Sequence, residues 1–113
     1  MQYEPLYERF EAGGTEGQRH SVEFVKSGFL TVGDRPELFF FRVDGEEAIV
    51  GISSDSLNRF QSGRKHLSRE EKIDLAGLWL KRQLEAGAAL DSAHLFLRDS
   101  ELGLVAAELG FAK

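Results

Sequence analysis

The stretch ELFFFRVDGEEAIVGI, residues 37–52, limits what this chain can fold into more than any other part of the sequence. Two runs rich in aromatic and branched apolar residues flank Asp44 and Gly45. A two-residue type I′ turn needs positive φ at both of its central positions, and an Asp-Gly pair accepts that conformation. The sequence therefore predicts a central β-hairpin, and the turn length sets its register so that Phe41 is expected opposite Ala48.

This register divides the hairpin into two faces, because successive side chains of a strand point to opposite sides of the sheet. The predicted core face is apolar throughout and carries Phe39, Phe41, Val43, Ala48, Val50 and Ile52. The second face is half apolar, with Leu38, Phe40 and Ile49 as candidate interface residues. Arg42 and Glu47 oppose each other near the turn and mark where this face opens to water.

Three adjacent phenylalanines, Phe39 to Phe41, place an aromatic ring on each face of the strand. A water-facing sheet alternates apolar and polar side chains, so a ring on both faces indicates a layer on both sides. From the sequence, any of three elements could form the layer over the second face: the N-terminal segment, the last helix, or another subunit. We therefore expect the sheet to lie between two layers.

The segment 69–86 is predicted to be a long helix with both ends marked. Apolar residues cover more than half of its circumference, so we expect it to pack on two neighbours. We place it on the core face of the hairpin, the face of Phe39 and Phe41. Ser68 and Glu71 have the spacing of a capping box, and Gly87 stands where a left-handed C-cap residue belongs.

Two shorter helices are predicted from their capping residues. The first follows the hairpin directly, with Ser53 or Ser54 as its N-cap. The second is a C-terminal helix over 100–109, with Ser100 as its cap. Its glycine and phenylalanine ending is typical of a Schellman motif.

The rest of the chain is predicted from weaker patterns. The segments HSVEFVK and SAHLFLRD alternate apolar and polar residues and indicate further strands. The segment EPLYERFE, residues 4–11, has helical spacing and predicts a short helix or turn. Residues 12–18 are rich in glycine and predict a flexible linker, so residues 1–18 are a candidate flexible or docking arm.

Together these elements predict a single α+β domain over residues 1–113: a twisted antiparallel sheet with the long helix on one face. The absence of cysteine excludes a disulfide scaffold, a cysteine-ligated zinc site and a thiol nucleophile. The net charge of −5 argues against nucleic-acid binding, which needs a positive field at the phosphates.

The ends and apolar runs of the sequence bear on where the protein resides. MQYEPLYERF lacks the basic start and apolar run of a secretory signal. No apolar run approaches the length of about 20 residues that spans a bilayer. We therefore expect a cytoplasmic protein with no membrane partner.

No catalytic, cofactor-binding or metal-ligating residues are predicted, so we do not expect an enzyme. His20, His66 and His94 are far apart and have no metal-site spacing. Most of the serines stand at cap and turn positions, and there is no GxSxG elbow. The basic run GRKHLSR gives one candidate anion contact, formed by Arg64, Lys65 and His66 beside a helix N-terminus. A solvated loop is the alternative.

The central block resembles a small bacterial family known as domain of unknown function 1488. Its pattern of strand, Asp-Gly turn, strand, short helix, longer helix and short last strand is matched over residues 36–98. The matching residues are Asp44, Gly45, Ile52, Ser53, Leu57, Phe60, Ile73, Ala76 and Gly87. The resemblance implies a small bacterial-type protein of α+β fold and implies no catalytic residue.

The function expected from these observations is a non-enzymatic protein–protein interaction module that acts as a homodimer. Two alternatives stay open. One is a small acidic chaperone or inhibitor of another protein, which the size and acidic charge fit. The other is a binder of small hydrophobic ligands, with phenylalanines lining a pocket between sheet and helix.

Overall fold

The computed structural model describes residues 5–31, 33, 35–63, 66–91 and 95–111. These form a five-stranded sheet, with its strands in chain order from edge to edge, and three helices. The elements are β1 (Arg9–Gly13), β2 (Arg19–Phe29), β3 (Glu37–Val43), β4 (Glu46–Ile52), α1 (Ser54–Gln61), α2 (Arg69–Ala86), β5 (Phe96–Leu97) and α3 (Asp99–Glu108). The predicted α+β class is confirmed.

The β3–β4 hairpin has the predicted register. Phe41 pairs with Ala48, and Phe40 pairs with Ile49. Asp44 and Gly45 both adopt positive φ, at 52° and 86°, as a type I′ turn requires. The local turn chemistry therefore determines which hairpin residues share a face.

The sheet is antiparallel except at β5, which pairs with β4 in parallel. The parallel direction follows from the connection, because α1 and α2 carry the chain back along the sheet before β5 begins. The predicted strand SAHLFLRD is shorter than expected, with two residues in β5, and residues 92–94 lie outside the described part. In β2 the register shifts between Phe24 and Lys26, so the strand is irregular at Val25 and continues through Gly28.

The prediction for the N-terminal segment is wrong from Arg9 onward, where the chain forms edge strand β1 instead of a short helix or turn. Phe10 and Ala12 point inward while Arg9 and Glu11 point outward, so the pattern has the period of a strand. Residues 14–18 are a turn closed by a 2.8 Å hydrogen bond from Gly14 N–H to the Gln18 carbonyl. From residue 5 onward, the expected arm is part of the domain.

The helices have the predicted capping residues with one exception. Ser53 caps α1, and Ser68 and Glu71 form the capping box of α2. The helix α3 begins at Asp99, so Ser100 lies inside it and is not its cap. The Arg98 N–H instead donates to the Glu101 carboxylate at 2.9 Å, because Glu101 stands three residues further on.

One hydrophobic core lies between the helices and one face of the sheet, which we call the inner face. All six residues of the predicted core face are buried. The largest wholly buried side chains are Val22, Phe39, Phe41, Val50, Ile52, Ile73, Leu75, Leu78, Leu80, Leu95, Leu97 and Leu102. They come from the sheet, from α2 and α3, and from Leu95 just before β5, so the two layers share a single core.

Candidate functional site

The face of the sheet that points away from the core, which we call the outer face, carries the three candidate interface residues. Leu38, Phe40 and Ile49 are each only half buried. Their neighbours in the pairing register are Gly28, opposite Leu38, and Lys26, opposite Phe40. The outer face therefore has an apolar half at the end of the sheet away from the Asp-Gly turn.

The N-terminal segment does not cover this apolar half within the described residues, because it packs on α2. The carboxylate of Asp74, which is 0% exposed, accepts hydrogen bonds from the N–H groups of Leu6 at 3.1 Å and Tyr7 at 2.8 Å. Gly77 allows this close approach, since a Cβ there would lie 2.5 Å from the Cβ of Tyr7. The segment is thus held on the helix side of the sheet.

The last helix also packs on the helix side. Leu102, Val105 and Ala106 of α3 are buried in the common core. The helix contacts α1, α2 and β5. Of the three covers expected from the sequence, the two internal ones therefore do not lie over the outer face in the described residues.

A groove of about 330 Å³ lies at the β4–β5 side of the apolar half. Its lining residues are Leu38, Glu47, Ile49, Gly51, Leu90 and Phe96. The Phe96 ring lies directly against Gly51, since a Cβ there would be 2.7 Å from Phe96 Cδ1. The segment between α2 and α3 thus supplies the outer wall of this groove through Leu90 and Phe96.

Two cations stack on the aromatic rings of the outer face. The Lys26 ammonium lies 5.1 Å from the centroid of Phe40, and the Arg98 guanidinium lies 4.7 Å from that of Phe96. Cations at this distance are attracted to the negative faces of the rings. The apolar half is therefore rimmed by positive charge.

The half of the outer face nearer the turn carries a straight row of charges across four strands. The cross-strand pairs that build the row are Arg9 with Glu23, Glu23 with Arg42, and Arg42 with Glu47. Arg9 and Glu23 form an ion pair at 3.2 Å. Arg42 and Glu47 are exposed, and neither makes an ion pair with another described residue. The row alternates in sign from β1 to β4.

The candidate anion contact has only one member in the described part of the chain. Arg64 and Lys65 lie outside it, and His66 is exposed in the loop before α2. Ser68 and Glu71 already bond the backbone N–H groups at the start of α2. An anion would therefore compete with the capping box for the same donors.

Two further bases that flank this loop are engaged with acids. Lys72 is largely buried and bonds Glu37 at 3.1 Å. Arg59 bonds both carboxylate oxygens of Asp99, and this hydrogen bonding lowers the pKa of Asp99 and raises that of Arg59. These side chains hold elements together, which reduces the positive field available to a ligand.

A second polar cluster lies at the hairpin turn. The Asp44 carboxylate contacts Nδ1 of His20 at 2.8 Å and accepts the Ser21 N–H at 2.8 Å. These hydrogen bonds, that of His20 first, lower the pKa of Asp44 below its ordinary value. The cluster ties the turn to β2.

Sequence analysis missed four residues of the outer face: Lys26, Gly28, Leu90 and Phe96. Lys26 and Gly28 lie after the irregularity in β2, where the register shifts by one residue. Strict alternation counted from Val22 would place both side chains on the inner face, and the sequence does not show the shift. Phe96 stands between Leu95 and Leu97, which are both buried, so an apolar residue at this position departs from the alternation of its strand, and that departure is the signal in the sequence.

In the part of the chain that the structure describes, no helix combines the length and apolar character needed to cross a membrane. Within the same residues, no group of three or more His, Asp or Glu side chains is placed to hold a metal ion.

Comparison of the chain with protein-family models, with curated proteins and with solved structures finds no match. The resemblance to the domain of unknown function therefore stays a prediction. The geometry and charge of the outer face are the features from which a function can be inferred.

Proposed function

We propose that this protein is a non-enzymatic protein–protein interaction module that acts as a homodimer through the outer face of its sheet. The observation that carries the proposal is the half-exposed apolar cluster of Leu38, Phe40 and Ile49, over which none of the described helices lies. Burial of apolar surface is the main favourable term in protein association. A second subunit would supply the layer that the chain does not supply itself.

The size of the outer face is compatible with a dimer only if its polar half takes part. Strands β1 to β4 lie about 4.8 Å apart, and the seven residues of β3 and of β4 rise about 3.3 Å each, so these strands outline a face of about 19 by 23 Å. Side chains that stand out from the sheet add to this projected area of about 440 Å², which places the dimer below the roughly 800 Å² per partner of a standard interface. The apolar half alone is too small.

Sedimentation of the wild-type chain over a concentration series tests the proposal. We expect a reversible monomer–dimer equilibrium, which Phe40→Ala shifts toward the monomer because it removes the central ring of the apolar half. Leu104→Ala is the matched control, since Leu104 is an exposed apolar residue on α3, away from the outer face. A wild type that stays monomeric at high concentration contradicts the proposal.

The groove beside the apolar half supports a second candidate function, the binding of a small apolar ligand. Its volume of about 330 Å³ lies at the lower end of the usual range for ligand sites, about 300–1,000 Å³. It lies on the outer face, whereas the predicted pocket was between sheet and helix, where Phe39 and Phe41 are wholly buried.

An anionic naphthalene dye is a suitable probe of this second function, because Arg98 stands beside the groove wall. Saturable binding that is lost in Leu90→Ser would support it, since Leu90 lines the groove and is partly exposed. Equal binding by the Leu90 variant would place the dye elsewhere.

A further inference from the structure

We infer that the two copies bind face to face about a two-fold axis that runs parallel to the strands, between β2 and β3. The inference rests on the proposed homodimer and specifies its geometry. It places the charged row of each copy on the charged row of the other, in reversed order.

The charged row is self-complementary only in that arrangement. From β1 to β4 the row consists of Arg9, Glu23, Arg42 and Glu47. A two-fold axis that lies in the plane of the interface and runs perpendicular to the strands keeps the order of the row. Each charged residue would then face the same residue of the other copy, so like charges would meet. An axis parallel to the strands reverses the order, so every charge meets one of opposite sign.

The reversed row makes specific pairs. Glu23 of each copy faces Arg42 of the other, at the centre of the interface, and Arg9 faces Glu47 at its margins. Arg42 is exposed and makes no ion pair in the described part of its own chain, so its guanidinium is available to a partner. Complementary charges of this kind fix the orientation and register of an interface.

The same axis also places the apolar half of one copy over the apolar half of the other. Because β2 of one copy lies over β3 of the other, Leu38 is placed over Gly28 of the second copy. Among the described residues, adjacent ones aside, no atom stands within 4 Å of the position that a Cβ at Gly28 would take, so this site is open there. Phe40 is likewise placed over Lys26, which already stacks on Phe40 of its own chain.

The arrangement also agrees with the general rule for stacked sheets. An axis parallel to the strands keeps the strands of the two sheets aligned, apart from the angle of about 30° that sheet twist introduces. The predicted second layer over Phe40 is then the sheet of another copy.

Two charge reversals and their mixture test this geometry. Arg42→Glu and Glu23→Arg each set like charges against each other twice in a homodimer, and we expect each to self-associate at least about tenfold more weakly than wild type. A mixture of the two variants restores both central pairs. We expect the mixture to form a heterodimer with about wild-type affinity, measured by sedimentation with one variant carrying a fluorescent label.

The mixture separates contacts between chains from contacts within a chain. In the mixture, each reversed side chain still lies beside like charges in its own sheet. A recovered dimer affinity therefore measures only the contacts between the two chains. Arg59→Glu and Asp99→Arg are the matched controls, because this exposed pair joins α1 to α3 on the helix side. Each control should dimerise as wild type does.

A second variant keeps the test independent of charge. Gly28→Val fills the open site that receives Leu38, so it should weaken the dimer without lowering the melting temperature of the subunit.

Single reversals that dimerise normally, or a mixture that does not recover, would overturn the two-fold geometry and leave the homodimer intact. A monomeric wild type would instead overturn the proposed function, and the geometry with it.

Discussion

Phe39 and Phe41 are 0% exposed on the inner face of β3, whereas Phe40, which lies between them in the sequence, is half buried on the outer face. The inner rings pack within one chain, and Phe41 lies edge-on to Phe24 with 5.5 Å between ring centroids. The outer ring has a lysine stacked on it and an open neighbouring site at Gly28. Three identical side chains thus occupy two environments.

The difference teaches that a run of identical residues can be divided between two environments, because successive side chains of a strand point to opposite faces. The inner face is completed by helices that the same chain supplies, so its contacts form whenever the chain folds. The outer face combines an apolar half with a row of alternating charges, and none of the described helices lies over it. Variants on the two faces should therefore have different effects.

The largest expected effect is on the inner face. Phe41→Ala should lower the free energy of unfolding by about 3–5 kcal/mol, because it removes a wholly buried ring and leaves a cavity. Phe40→Ala should lower the free energy of unfolding of the isolated subunit clearly less. Urea melts at concentrations low enough to keep the chains monomeric measure both. Equal losses would mean that both faces belong to one internal core and would remove the contrast.

The second effect tests whether the N-terminal segment belongs to the helix side. Asp74→Ala should destabilise the subunit by about 2–3 kcal/mol, because it removes a buried carboxylate that accepts two backbone N–H groups. Amide hydrogen exchange should then accelerate at Leu6 and Tyr7. Asp74→Asn, which keeps one acceptor oxygen, should have a smaller effect. Unchanged exchange at both amides would show that other contacts hold the segment.

The parts of this fold that were predictable from the sequence are those set by local chemistry. The Asp-Gly turn determines the hairpin register by itself, since only residues that tolerate positive φ fit its two positions. Ser68 and Gly87 determine the ends of α2, because a helix end needs partners for backbone groups that its own turns cannot satisfy. These signals lie within a few residues of the structure that they specify.

The remaining parts depend on contacts between distant residues. The edge strand β1 is short and forms by pairing with β2, and Leu6 and Tyr7 are held by Asp74, which is distant in sequence. The sequence alone predicts a short helix or turn there, because Leu6, Tyr7 and Phe10 also have helical spacing. The groove has the same origin, since Phe96 reaches the outer face only after α1 and α2 have crossed the sheet.

A third prediction compares two glycines of the outer face. Gly51→Ala should cost about 1–3 kcal/mol, because its Cβ would lie 2.7 Å from the Phe96 ring and force it to shift. Gly28→Ala should leave the subunit as stable as before, or up to about 1 kcal/mol more stable, because its Cβ enters open space and alanine suits a strand better. Thermal and urea melts measure both. A destabilised Gly28 variant would show that this site is not open.

The smallest effect is expected at the hairpin turn, where the two faces meet. The folded pKa of Asp44 is lowered by its hydrogen bonds, so its stabilising contribution is complete above the unfolded pKa of about 3.9 and is lost as the pH falls through the lower folded value. Asp44→Asn keeps a residue that accepts positive φ, and Asn-Gly is itself a favoured type I′ pair. It should therefore fold normally at pH 7 with a slightly lower melting temperature than wild type. That difference should shrink below about pH 4, where the unfolded-state carboxyl becomes protonated. A difference that is the same at pH 7 and pH 3 would show that the carboxylate charge contributes nothing to the turn.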